Sequence, residues 1–199
     1  IPTYAAIGNH DFHIGWRALF PRFHRLVGPS NSRFRLGGIE FINVDTAADF
    51  IPAARGRRAR LIDAMRPIDA DPAIRDRVAF THKPLQDRDP ERDHDVRRQA
   101  EARWLRERFL AAGTRNLLAG HIHVKEEYDD RGLQTYITGQ GLGHADLIGK
   151  QPYRRYAEIL LGDVEPGAPV RYRWQPLNMP FEAHCNARNL GVLDALERP

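Results

Sequence analysis

The sequence predicts a mixed α/β or α+β fold in which sheets are layered by helices. Three observations predict it. Short apolar runs end abruptly in glycine, proline or polar loops, stretches with helical spacing lie between them, and the final third is mostly strand-like.

In chain order, Tyr4 to Ile7 is an apolar run closed by Gly8 and reads as a buried strand feeding a loop. From Trp16 to Val27, Leu19, Phe23 and Leu26 recur at helical spacing around Pro21. Two strand candidates follow, Arg33 to Leu36 and Ile39 to Asp45, joined as a hairpin by Gly37-Gly38. Arg57 to Met65 is helical and stops before Pro67. Val78 to Phe80 is a strand opening into Thr81-His82-Lys83-Pro84, and the strongly charged segment from Gln86 to Arg97 is expected to be an exposed loop. Ala100 to Ala112 gives a helix with Trp104, Leu105, Phe109 and Leu110 on one side and Gly113 as its stop. Asn116 to Ala119 is a strand, and Tyr136 to Thr138, Tyr156 to Leu161 and Val170 to Trp174 are further ones. Gly162-Asp163 is expected to be a turn, and the stretch 176–199 a loosely structured extension beyond a main domain over 1–175.

With 199 residues, 42% of them hydrophobic and 28% charged, the chain is long enough to bury one core without disulfides. No apolar run approaches the ~18 residues of a membrane span, and no signal-like segment opens the sequence. A soluble protein, with the cytoplasm favoured, is the expectation. Cys185 is the only cysteine, which excludes an internal disulfide framework and a multi-cysteine zinc site. The net charge is +4, and all but three of the 30 basic residues are arginine. They are spread along the chain among Asp and Glu, as in Arg75-Asp76-Arg77, so the concentrated basic face of a nucleic-acid binder is missing.

Chemistry is concentrated where three apolar runs end. Gly8-Asn9-His10-Asp11, Thr81-His82-Lys83-Pro84 and Gly120-His121-Ile122-His123 each place histidine directly after a strand candidate. Open α/β sheets carry their sites outside the carboxyl ends of their strands. Imidazole with amide or carboxylate oxygen suits divalent zinc, manganese or iron. His121 and His123, two positions apart, are expected to point apart and serve two neighbouring ions. Two such ions a few ångströms apart are a device for cleaving phosphate esters. His13, His24, His94, His144 and His184 lack this context and read as surface or capping residues.

This ordered series resembles the motifs of the calcineurin-like metallophosphoesterases, the superfamily that includes purple acid phosphatases and many phosphodiesterases. The resemblance spans residues 8 to 123, and the strand-rich remainder is similar to the family's two-sheet β-sandwich flanked by helices. It implies a metal-dependent phosphoric ester hydrolase acting on a small phosphomonoester or phosphodiester, with two divalent metal ions (Mn, Zn or Fe). Asn9, His82 and His121 would bind one ion and His123 the other. His10 would face the substrate, stabilising phosphoryl charge or protonating the leaving oxygen, and Asp11 would orient its ring. A metal-bridging hydroxide would be the nucleophile.

The family's earlier motifs, Asp-x-His and a Gly-Asp whose aspartate bridges both metals, would precede Gly8, where only seven residues stand. The expectation is a longer enzyme with roughly 60 further residues, about two βα units, and impaired catalysis by these 199 residues alone. The alternative reading is a noncatalytic scaffold or interaction protein of the same fold. Gly139-Gln140-Gly141-Leu142-Gly143-His144 reads as a flexible turn rather than a phosphate cradle, because the Lys-Ser or Lys-Thr ending of a P-loop is missing.

Overall fold

A computed structural model of the chain describes residues 3–13, 22–47, 57–89, 94–138 and 158–176. The turn at 139–144, His144, His184, Cys185 and the extension beyond 176 lie outside the described residues, as does the first half of the 16–27 helix, of which 22–26 is helical.

Asn9–His13 forms a short helix, α1, and 22–26 forms α2. Ser32–Leu36 (β1) and Ile39–Asn43 (β2) pair as the expected antiparallel hairpin. Its turn residues Gly37 and Gly38 have φ of 58° and 81°, the left-handed values that a two-residue turn matched to strand twist demands. Arg57–Asp63 is α3, Asp76–Phe80 is β3, Gln99–Ala111 is α4 and Asn116–Ala119 is β4. Lys125–Asp130 (β5) and Leu133–Thr138 (β6) form a second hairpin, and Glu158–Asp163 (β7) with Arg171–Pro176 (β8) a third.

Six strands make one sheet in the order β1-β2-β3-β4-β6-β5. β2, β3, β4 and β6 run parallel in its centre, and β1 and β5 close its edges antiparallel. The parallel strands therefore present their carboxyl ends at one rim. The core lies between this sheet and the helices: Ile42, Ala79, Leu117 and Leu133 from the strands meet Ile62 of α3 and Ala102, Leu105 and Phe109 of α4. Burying such side chains contributes about 1.5–3 kcal/mol each.

Helix α4 stops where the sequence says it should. Thr114 N–H reaches Phe109 O at 2.9 Å and Gly113 N–H reaches Leu110 O at 3.0 Å, with Gly113 at φ 81°. That is the Schellman pattern, and a Cβ on Gly113 would also meet Ile68 at 3.0 Å. Arg77 of β3, fully buried, donates to Glu40 Oε2 at 2.7 Å and to the carbonyl of Ala112, tying the helix end to the sheet.

The smaller β7–β8 sheet lies against the larger one. Tyr172 packs its ring 4.7 Å from that of Tyr136, Lys125 Nζ pairs with Glu158 at 2.9 Å, and Val170 N–H donates to Asp76 Oδ2 at 2.9 Å. The fold is thus mixed α/β with one large and one small sheet.

Several expectations are corrected. Residues 3–8 form no strand; Asn43 Nδ2, a side chain, takes the Ala5 carbonyl, and Tyr4 stacks on Phe34 at 3.7 Å. Gly162-Asp163 ends β7 instead of turning, with Asp163 paired to Arg173 at 2.9 Å. β5 was hidden by its charge, Lys-Glu-Glu-Tyr-Asp-Asp, because an edge strand needs few apolar residues. The 86–97 segment is not simply exposed: Val96 is fully buried, and its N–H donates to Pro84 O at 3.1 Å. Among the described residues no helix is long and apolar enough to cross a membrane.

Candidate metal centre

Two loops from the carboxyl rim, after β3 and β4, meet the start of α1 at His82. β3 ends at Phe80 and delivers His82 two residues later, braced by Thr46: Lys83 N–H donates to Thr46 Oγ1 at 2.8 Å, and the Thr46 hydroxyl reaches Lys83 O at 3.2 Å. Thr46 and the buried Asp45 follow β2, so the neighbouring parallel strand holds this loop in place. Asp45 Oδ1 accepts the Ala47 N–H at 3.0 Å, an Asx turn.

The 8–11 segment supplies the second side. His82 Nε2 lies 2.8 Å from Asn9 Oδ1. Gly8 makes that approach feasible, since a Cβ there would stand 3.2 Å from His82 Cε1. Asp11 Oδ2 accepts the Gly8 N–H at 3.0 Å, closing the first turn of α1. That hydrogen bond holds backbone; the orienting of the His10 ring is what the family resemblance implies for Asp11. His10 itself is exposed at the rim.

The third side comes from β4. Gly120 N–H donates to His82 O at 2.9 Å, Ile122 N–H returns to Gly120 O at 2.7 Å, and Val124 N–H returns to Ile122 O at 2.8 Å. Each return spans two residues, so His121 and His123 sit at the centres of successive γ-turns. His121 has φ 66°, and the positive-φ γ-turn is rare and strained. Strain of this kind costs of order 1–3 kcal/mol and persists only where its surroundings enforce it. Ile122 and Val124 provide the enforcement, buried with Ala119 and Ile137.

Ile122 and Val124 lie in the core, and His121 and His123 are each half-buried. The ring of His121 stands 4.9 Å from that of His82, tilted by 61°.

Burial holds the pKa of His82 down to about 4; the charge of Lys83 adds to the effect, with smaller contributions from His10 and His123, while Asp11 opposes it. His82 is therefore neutral at ordinary pH, the form that offers a lone pair to a metal. Asn9 and His121 thus meet the His82 imidazole directly, and the charges of His10, Asp11 and His123 act on it.

Two ligands each about 2.1 Å from one ion stand about 3 Å apart, and two imidazoles sharing it hold their ring centres roughly 4.5 to 5.5 Å apart. The Asn9–His82 and His82–His121 spacings fit one ion. Among the described residues no three His, Cys, Asp or Glu side chains form a metal-holding group, so the fit to one ion rests on two imidazoles together with the Asn9 amide oxygen.

His94 was missed. Its ring lies 5.4 Å from that of His121 at 72°, although the sequence marked it as a surface or capping residue. No strand precedes it and charged residues surround it, so only its being a histidine could have pointed to it.

No family model matches the chain, and no curated protein matches it.

Proposed function

We propose that the chain belongs to a metal-dependent phosphoric ester hydrolase of the calcineurin-like metallophosphoesterase kind, acting on a small phosphomonoester or phosphodiester. The observation that carries this reading is the meeting of Asn9 Oδ1 from the start of α1 with His82 Nε2 and the His121 ring from the loops after β3 and β4. A bound divalent ion would supply Lewis acidity toward phosphoryl oxygen and an activated water. Asn9, His82 and His121 would hold it, with His123 directed to a second ion. His10, exposed beside them, has the freedom to donate a proton to a leaving oxygen, and Asp11 fixes the turn that presents it.

The rival is a noncatalytic scaffold of the same fold, favoured by the want of a three-residue His, Cys, Asp or Glu group among the described residues. The two part in one experiment: metal content together with hydrolysis of p-nitrophenyl phosphate and bis-p-nitrophenyl phosphate, for the chain and its His121→Ala variant. Bound metal and hydrolysis, both lost in the variant, support the enzyme. Folded protein that takes up neither Mn²⁺ nor Zn²⁺ and cleaves neither ester supports the scaffold.

A further inference from the structure

The contact between His94 and His121 is built, because the loop carrying His94 is fastened at several points. Tyr128 donates its hydroxyl to Gln86 O, Asp87 N–H reaches Asp95 Oδ2 at 3.0 Å, and His94 N–H reaches Asp87 Oδ2 at 3.3 Å. Gln99 Nε2, on the first turn of α4, donates to Asp95 Oδ2 at 3.0 Å, so the loop is anchored to the helix as well as to β5. The buried Val96 closes it against Pro84, just beyond His82. Carboxylates that would otherwise be solvated are used to hold backbone, and the outcome is one imidazole edge resting on the His121 ring.

His121 needs such support. Its backbone is held in a left-handed conformation by its neighbours in sequence, but that fixes only the direction of Cβ. The plane of the ring is free about a broad terminal torsion unless something packs against it. His82 touches it on one side and His94 is the second imidazole in contact. The 5.4 Å spacing is one that two ligands of a single ion could also show, and a phenyl ring in place of His94, which packs but cannot ligate, separates support from ligation.

We propose that His94 is a positioning residue, whose ring, packed edge-on, fixes the plane in which His121 meets an ion shared with Asn9 and His82. The inference rests on the metal-dependent reading above. Outer partners of ligating histidines typically alter metal affinity by about 10–100-fold when removed.

The test is titration of the metal-free chain with Co²⁺, followed by its visible absorption, for wild type, His94→Ala, His94→Phe and His82→Ala, with thermal unfolding of each metal-free protein alongside. The expected result is that His94→Ala binds Co²⁺ about 10–100-fold more weakly with altered bands and an unchanged metal-free Tm, while His94→Phe, which keeps a ring in place, recovers most of the affinity. Wild-type affinity in His94→Ala, with binding lost in His82→Ala, overturns the role of His94 and leaves the metal reading standing. A metal-free Tm lowered in His94→Ala, or a Phe variant as weak as Ala, also overturns it. Folded wild-type protein that binds no Co²⁺ removes the metal reading itself.

Discussion

Asn9 Oδ1 and His82 Nε2 lie 2.8 Å apart although 73 positions of chain separate them. Each side chain is placed by hydrogen bonds made by other residues. The β2 exit fixes the His82 loop through Thr46, and the Asp11 carboxylate fixes the Asn9 turn through the Gly8 amide. The site is therefore sensitive to small changes in backbone that carry no functional group.

Gly8→Ala tests that sensitivity. The new methyl would stand 3.2 Å from His82 Cε1, and the ring would have to yield by a few tenths of an ångström. Metal affinity is expected to fall about tenfold or more with the far-ultraviolet circular dichroism unchanged. An affinity equal to wild type would show that the close approach is not needed.

His121→Gly separates strain from function. Glycine adopts φ 66° without the penalty of about 1–2 kcal/mol that a side chain meets in the left-handed region. The metal-free variant should be as stable as wild type in urea, or more so by up to about 1 kcal/mol, while losing metal uptake. A variant markedly less stable than wild type would mean that the ring contributes more to packing than the strain costs.

The stability of the metal-free chain should depend on pH through His82. Its folded pKa of about 4 lies below the ordinary value of 6.5, so between these values the unfolded chain binds a proton that the folded one does not. The contribution is fully present above pH 6.5 and is lost as pH falls toward 4. Urea midpoints should drop across that window, and drop less in His82→Gln. Identical slopes for the two proteins would rule His82 out as the source.

Glu40 and Arg77 form a buried pair, with Arg35 3.3 Å from Glu40 as well. Glu40→Ala leaves the Arg77 guanidinium without its carboxylate and should destabilise by about 3–5 kcal/mol, whereas Glu40→Met with Arg77→Met should cost less. Chemical denaturation of the single and double variants decides it, and a single variant within 1 kcal/mol of wild type would contradict the arrangement.

The elements legible in advance were those whose signal is local. The Gly37-Gly38 hairpin, the stop of α4 at Gly113 and the short β4 each follow from backbone freedom or from a run of apolar residues. β5 was not legible, because its pairing with β6 comes from position at an edge and not from apolar content. Residues 3–8 misled for the opposite reason: Ile7 is fully buried, but burial alone does not supply a ladder partner.

For the candidate site, the sequence by itself determined which donor-bearing residues follow apolar runs, because the carboxyl ends of parallel strands gather at one rim and a loop begins where the run ends. Only the tertiary structure decided how they meet. The order β2-β3-β4 places the Thr46, His82 and His121 loops side by side. The γ-turn at His121 sets the direction of its side chain. The carboxylates of Asp87 and Asp95, which hold backbone at 94 and 87, bring in His94, which no local pattern marks, because a contact between distant segments is set by packing and not by spacing along the chain.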